Sequence, residues 1–165
     1  MKTTSSVALG AALFVLAACG SENHPHACAL VFSPTGISVD VAAPDASRIA
    51  SASLRVCWDG TCRTKELGFR PSSTTVPLGC DGDGPDSVCR ASASPDGGQH
   101  GFAAITDLPE SPVQVTLTLR DRHRRAFVDQ ELLVTPKATR ADGPGCGPQG
   151  VQAALTVTDG RLAAR

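Results

Sequence analysis

The sequence predicts an all-β protein, an antiparallel β-sandwich that is stabilised by disulfide bonds. Hydrophobic and polar residues alternate with a period of two along several short segments, which is the pattern of strands with one buried face. Twelve prolines interrupt the 165-residue chain, and no long window has the hydrophobic spacing of a helix. The seven cysteines are enough for three bridges. Short strands separated by turns rather than by helices favour a sandwich.

Length and charge narrow the classes of function. The chain is long enough for one domain with a buried core. Fifteen Lys and Arg oppose sixteen Asp and Glu, so the net charge is −1. Because nucleic-acid binding depends on a basic excess, nucleic acid is not an expected partner. The hydrophobic fraction of 41% excludes a protein with several membrane spans.

The N-terminus is organised like an export signal. Lys2 precedes an apolar run from Val7 to Ala18, which is too short to span a membrane. The run ends in Leu16-Ala17-Ala18-Cys19, which resembles the lipobox of bacterial lipoproteins. The resemblance implies cleavage before Cys19, lipidation of its thiol and anchoring on the extracytoplasmic face of the cell membrane. An ordinary signal peptide with a chance cysteine is the alternative.

The composition supports the same resemblance. Three lysines stand against twelve arginines, and there is a single asparagine, a bias similar to that of small lipoproteins of high-GC Gram-positive bacteria. This family implies no particular activity. Together with the strand pattern, the resemblance predicts a signal peptide at 1–18, the lipidated cysteine with a short tether at 19–27, and a single β-sandwich domain at 28–165. The tether spans at most about 30 Å, so the domain is expected close to the membrane.

With Cys19 lipidated, six cysteines remain for bridges in an oxidising compartment. The turn signal Asp59-Gly60 predicts a two-residue hairpin that places Cys57 opposite Cys62. A turn-rich segment between the next two cysteines favours a second short bridge, and the first and last cysteines of the domain are left for a long one. The favoured pairs are Cys57–Cys62, Cys80–Cys89 and Cys28–Cys146. Redox-active or metal-binding cysteines are the alternative, although the chain has no Cys-x-x-Cys.

The strands follow in chain order from the alternation. Residues 37–41, 54–58, 113–119 and 151–157 each carry hydrophobic side chains at every second position. Val128 to Val134 has adjacent hydrophobic residues, which indicates a bulge or a more buried strand. Together with the turn residues between them, these segments predict strands near 28–33, 36–42, 47–58, 61–67, 72–78, 101–106, 112–120, 126–135 and 150–158.

Two connections have their own signals. Ile105-Thr106-Asp107-Leu108-Pro109, followed by the alternating strand from Pro112, resembles a corner motif of immunoglobulin-like and transthyretin-like domains, and this resemblance implies a sandwich of that kind. Residues 80–101 are rich in Asp and Gly and poor in hydrophobic side chains. We therefore predict a mobile loop there.

Two clusters suggest metal binding. His24 and His26 in the tether could hold copper or zinc, but the neighbouring cysteine is needed for a bridge, and a polar tether is the simpler interpretation. The sequence Asp-Gly-Asp-Gly-Pro-Asp resembles part of a calcium loop without the full EF-hand spacing or its distal Glu. Ordinary exposed turns have the same composition. The weak calcium candidates are Asp81, Asp83 and Asp86.

A third cluster is basic. Arg120-Asp121-Arg122-His123-Arg124-Arg125 lies between two predicted strands and is expected at a hairpin tip. Its arginines could contact phosphate on lipid headgroups or wall polymers, or an acidic partner. A charged turn that keeps a strand end in solution is the alternative. The candidate anion contacts are Arg120, Arg122, Arg124 and Arg125.

Catalysis has no support in the sequence. It contains no Gly-x-Ser-x-Gly, no His-Glu-x-x-His and no glycine-rich phosphate loop. His100 and His123 are expected in loops, and the sequence identifies no spaced partner for either. We expect a lipid-anchored, extracytoplasmic binding or interaction module that is not an enzyme, has no cofactor, and contacts a protein or another envelope component. The alternative is a lipoprotein that carries a metal or small ligand on the 80–101 loop or the His24/His26 tether.

Overall fold

A computed structural model describes residues 28, 33–141, 143 and 145–165. The predicted signal peptide, lipobox and tether lie outside the described residues, as does most of the strand predicted at 28–33. The described part contains ten strands and one short 3-10 turn at Asp45–Arg48. The strands are β1 (Gly36–Val41), β2 (Ser51–Trp58), β3 (Thr61–Glu66), β4 (Phe69–Cys80), β5 (Cys89–Ala104), β6 (Val113–Arg120), β7 (Ala126–Val134), β8 (Lys137–Thr139), β9 (Gly150–Thr158) and β10 (Arg161–Ala164).

The strands form two sheets. The first sheet has the order β10-β9-β1-β5-β4, with β8 beside β9, and the second has the order β3-β2-β6-β7. Neighbouring strands run antiparallel except β1 and β9, which are parallel. Hydrophobic side chains from both sheets meet in a single core cluster. The predicted class, an all-β sandwich with disulfide bonds, is confirmed.

Alternation along the strands separates the core from the surface. In β6, Val113, Val115, Leu117 and Leu119 are fully buried, whereas the polar residues between them point outward. Thr118 Oγ1 on this outer face donates to Asp129 of β7 at 3.0 Å. The sequence pattern therefore predicted both the strand and the face that it buries.

The long hairpin of β4 and β5 corrects the sequence prediction most strongly. Residues 80–101 are not one loop, because β5 begins at Cys89 and pairs with β4 as far as Cys80. The turn is confined to residues 81–88. Both faces of this part of the hairpin are exposed. The strands are held together by backbone pairing, and their serines, threonines and alanines show no hydrophobic alternation from which a strand could be predicted.

Smaller differences have local causes. Residues 45–48 form the 3-10 turn and not the start of β2, because buried Asp45 accepts hydrogen bonds from Arg48 Nη1 and from the backbone N–H of Gly160. The bulge in β7 falls at Phe127, opposite Leu119 and Arg120, and Leu133 is exposed rather than buried. The short strands β8 and β10 were not predicted.

Three disulfides join Cys28 to Cys146, Cys57 to Cys62 and Cys80 to Cys89. These are the pairs that the spacing favoured. Asp59 and Gly60 both have positive φ, at 45° and 72°, as the predicted two-residue turn requires. The turn places Cys57 directly opposite Cys62, with 4.1 Å between their Cα atoms.

The core assignment predicts unequal effects of two identical substitutions. Leu117→Ala removes a side chain that is 0% exposed and should lower the free energy of unfolding by about 2–5 kcal/mol. Leu133→Ala changes a side chain that is 69% exposed and should cost less than about 0.5 kcal/mol. Urea unfolding of the disulfide-bonded protein measures both, and equal losses would contradict this core.

The bridges should differ in their contribution to stability. Replacing Cys28 and Cys146 by Ala opens a loop with a sequence separation of 118 and should lower the free energy of unfolding by about 4–5 kcal/mol. The matched control, Cys57 and Cys62 replaced by Ala, opens a loop with a separation of 5 and should lower it by about 2 kcal/mol. Non-reducing urea unfolding gives both values. A larger loss in the control pair would contradict the loop-length explanation.

Candidate functional site

The register defines two ends of the sandwich. β1 and β9 run parallel and begin side by side, and the Cys28–Cys146 bridge belongs to the segments that enter them. We call this the tether end. Val41, the last residue of β1, lies opposite Gln99 of β5, so the part of β5 that precedes Gln99 extends past the opposite end, which we call the far end. The β6–β7 turn also lies there. Ala50, in the segment that connects the end of β1 to the start of β2, donates its backbone N–H to Arg120 O at 2.8 Å.

A cleft of about 540 Å³ opens on the outer face of the first sheet, toward the far end. The strands β1, β5 and β9 bring its polar groups together, because Asp40 lies opposite His100 on one side and Thr156 on the other. Asp40 Oδ1 is 2.6 Å from His100 Nδ1, and Asp40 Oδ2 is 2.8 Å from Arg165 Nη1. The Asp40 carboxylate is therefore held on both oxygens.

A second carboxylate lines the same cleft. Asp96 Oδ1 accepts a hydrogen bond from Ser72 Oγ at 2.6 Å and another from the backbone N–H of Gly98 at 2.9 Å. The Ser72 bond, followed by the Gly98 bond, lowers the pKa of Asp96 below its usual value. No basic side chain in the described residues forms an ion pair with Asp96. The cleft thus offers an ionised carboxylate beside hydroxyl groups.

The Asp40–His100 pair is a finding that the sequence did not give. His100 was expected in a loop, and this expectation is wrong because the residue lies in β5, which pairs with β1. The two residues are 60 positions apart, and only the strand register brings them together. Within the described residues Asp40 is the hydrogen-bond partner of the imidazole, and no hydroxyl or thiol contacts its other nitrogen. The pair therefore orients a ring without presenting a nucleophile.

The predicted arginine cluster forms a tight turn at the far end. Asp121 Oδ1 accepts the backbone N–H groups of His123 and Arg125, at 2.8 and 3.0 Å. The bond from Arg125, the larger of these two effects, lowers the pKa of Asp121. Arg124 has a φ of 62°, and its carbonyl accepts from Arg120 Nη1 at 3.1 Å.

Only part of this cluster is available to an anion. Arg120 is bonded to the turn itself, and Arg125 Nε lies 3.6 Å from Asp121. Arg122 and Arg124 are exposed and have no acidic partner among the described residues. Of the four arginines proposed as anion contacts, these two point their charge to solvent without a competing carboxylate.

The three aspartates of the calcium-like sequence do not assemble as a ligand set. Asp81 Oδ2 is 2.7 Å from Arg90 Nη2, so it is engaged in an ion pair. In the described ranges no three His, Cys, Asp or Glu side chains are grouped closely enough to hold a metal ion. His24 and His26 lie outside the described residues.

Comparison with protein-family models, with curated proteins and with solved structures finds no match to this chain. Over the part that the structure describes, no helix combines the length and the apolar character needed to cross a membrane.

The arginine turn should respond to acid in a defined way. Because the folded-state pKa of Asp121 lies below its usual 3.8, the carboxylate stabilises the turn above the unfolded-state pKa. This stabilisation is lost as the pH falls through the lowered folded-state pKa. NMR titration of the backbone amides of His123 and Arg125 should show that midpoint, and Asp121→Asn should abolish it. Amide titration at or above 3.8 would contradict this account.

Proposed function

We propose that the protein is a lipid-anchored, extracytoplasmic lipoprotein that acts as a non-catalytic binding or interaction module. The observation that carries this proposal is the cysteine pairing. Three bridges account for six of the seven cysteines, and the seventh is Cys19 of the lipobox-like sequence. Disulfides persist in extracytoplasmic compartments, and lipidation would use the remaining thiol.

The arrangement of the domain suits such an anchor. Cys28 is bridged to Cys146 at the tether end, nine residues after Cys19. With a membrane anchor at Cys19, the arginine turn, the cleft and the β4–β5 hairpin would lie on the side of the domain that faces away from the lipid. We assign the protein to the small lipoproteins that the signal sequence and composition resemble.

The surface supports binding better than chemistry. The cleft of about 540 Å³ is open and lined by both polar and apolar groups, its carboxylates are held by hydrogen bonds, and the imidazole of His100 beside it is paired with Asp40. Such an arrangement fixes the orientation of donors and acceptors, which serves recognition. A protein or another component of the cell envelope is the proposed partner.

Lipidation at Cys19 is directly testable. In bacterial cells fed an alkyne-bearing fatty acid, the full chain should be labelled, and its mature form should begin at residue 19. Cys19→Ala should eliminate the label because the acylated thiol is gone. The double variant Cys28→Ala/Cys146→Ala lacks two other cysteines but should keep the label. In-gel fluorescence and intact-mass spectrometry give the readout, and label retained in Cys19→Ala would refute the anchor.

A further inference from the structure

The β4–β5 hairpin extends well beyond the sandwich. From the Ser73–Pro95 pair to the Cys80–Cys89 pair, the two strands bond only to each other. We call residues 72–96 the finger. Its paired part covers seven residue steps along β4 and six along β5, or about 20 Å. It leaves the domain at the far end, away from Cys28.

The finger is ordered without a core of its own. A two-stranded ribbon alone is marginally stable in water. Here the Cys80–Cys89 bridge closes its end, Arg90 pairs with Asp81 at 2.7 Å, and Asp81 N–H donates to Val88 O at 3.0 Å. These contacts fix the shape of the tip of the finger, residues 76–90, before any partner arrives, which reduces the entropy lost on binding.

The tip of the finger carries most of the exposed large hydrophobic side chains in the described part of the chain. Among the described residues, the exposed large hydrophobic side chains are Val76, Leu78, Val88 and Leu133. The first three lie within four residues of the Cys80–Cys89 bridge, and Leu78 and Val88 are 62% and 63% exposed. Exposed apolar side chains that are concentrated in one short segment point to an interaction site.

The same tip is acidic. Asp81 is neutralised by Arg90, whereas Asp83 and Asp86 have no basic partner among the described residues. The tip therefore presents apolar side chains together with two uncompensated negative charges. A complementary partner surface has an apolar pocket bordered by Lys or Arg. An anionic lipid surface is disfavoured as a partner for this tip because it would repel the carboxylates.

Contact through the edges of the finger is disfavoured. Pro77 in β4 and Pro95 in β5 have no N–H to donate, and the pairing shifts register at two places along β4. Prolines and bulges at a strand edge hinder the addition of another strand. The side chains of the tip, and not the backbone, are therefore the contact surface.

From these observations we infer that the tip of the finger docks into an apolar, basic-rimmed pocket on a protein partner, with Leu78 and Val88 as its anchors and Asp83 and Asp86 facing the rim. The inference rests on the proposed role as an interaction module and names its contact element and its partner's chemistry. It assigns no part in docking to the cleft.

Site-specific photocrosslinking in native host cells tests the docking. The probe is p-benzoylphenylalanine, placed in the full chain at Leu78 or Val88. The matched control is the same probe at Leu133, another exposed hydrophobic position outside the finger. A further probe at Thr158 reports on the cleft. We expect one discrete protein adduct from positions 78 and 88 that is absent from position 133, with the crosslinked partner peptide bordering an apolar pocket that carries Lys or Arg.

The affinity of finger variants for the captured partner then tests which side chains of the tip make the contact. With the captured partner purified, Leu78→Ser should weaken binding by about tenfold or more, and Asp83→Asn/Asp86→Asn should weaken it and reduce its salt dependence. Leu133→Ser should leave binding unchanged. All these side chains are exposed, so thermal unfolding of the variants should match that of the original protein.

The other outcomes overturn the inference. Adducts between two copies of this chain, adducts to lipid, or no adduct from the finger would each exclude the proposed partner. An adduct from Thr158 alone would leave the interaction module standing and remove the finger from it. Unlabelled Cys19 with intact finger adducts would instead remove the anchor and keep the docking.

Discussion

Strand β1 is the constraint on which both the fold and the candidate surfaces depend. It bonds to β5 on one side and to β9 on the other, so the first strand of the described domain and one of its last are held in register. Its inward side chains, Ile37, Val39 and Val41, are in the core. The carboxylate of its outward-facing Asp40 pairs with the side chains of His100 and Arg165. One alternating segment therefore closes the sandwich and organises the cleft.

The close approach at the start of β1 shows how tightly this register is set. A side chain at Gly36 would collide with the backbone carbonyl of Ala103 on β5, and one at Gly150 would collide with that of Ser33. Glycine at both positions lets neighbouring segments come into contact at the tether end. The disulfide from Cys28 to Cys146 crosses the same region, so covalent and packing constraints coincide there.

The sequence predicted the features that depend on local pattern. Alternation predicted β1, β6 and β9 almost to the residue, because each carries hydrophobic side chains at every second position and turns those side chains toward the core. The Asp59-Gly60 turn and the spacing of the cysteines gave the bridges, because a short hairpin fixes which side chains oppose each other. These predictions needed no knowledge of distant contacts.

The rest depends on partners that are far away in the chain. The part of β5 that lies in the finger, residues 89–96, has no buried face, so nothing in its serines and alanines separates strand from loop. His100 meets Asp40 across 60 positions only through the pairing of β5 with β1. The acidic tip was readable as composition. Its exposed Leu78 and Val88 became meaningful only once the hairpin was seen to leave the sandwich.

The bridge at the tether end also determines how the domain carries mechanical load. A pull that arrives at Cys28 passes both into the chain leading to β1 and, through Cys146, into the chain leading to β9. Because β1 and β9 lie parallel and side by side, both are drawn in the same direction and must slide together past β5, β8 and β10. Many hydrogen bonds then resist in shear at once, instead of opening one after another from a frayed end. The bridge thus makes a force applied at Cys28 act on both strands as a unit.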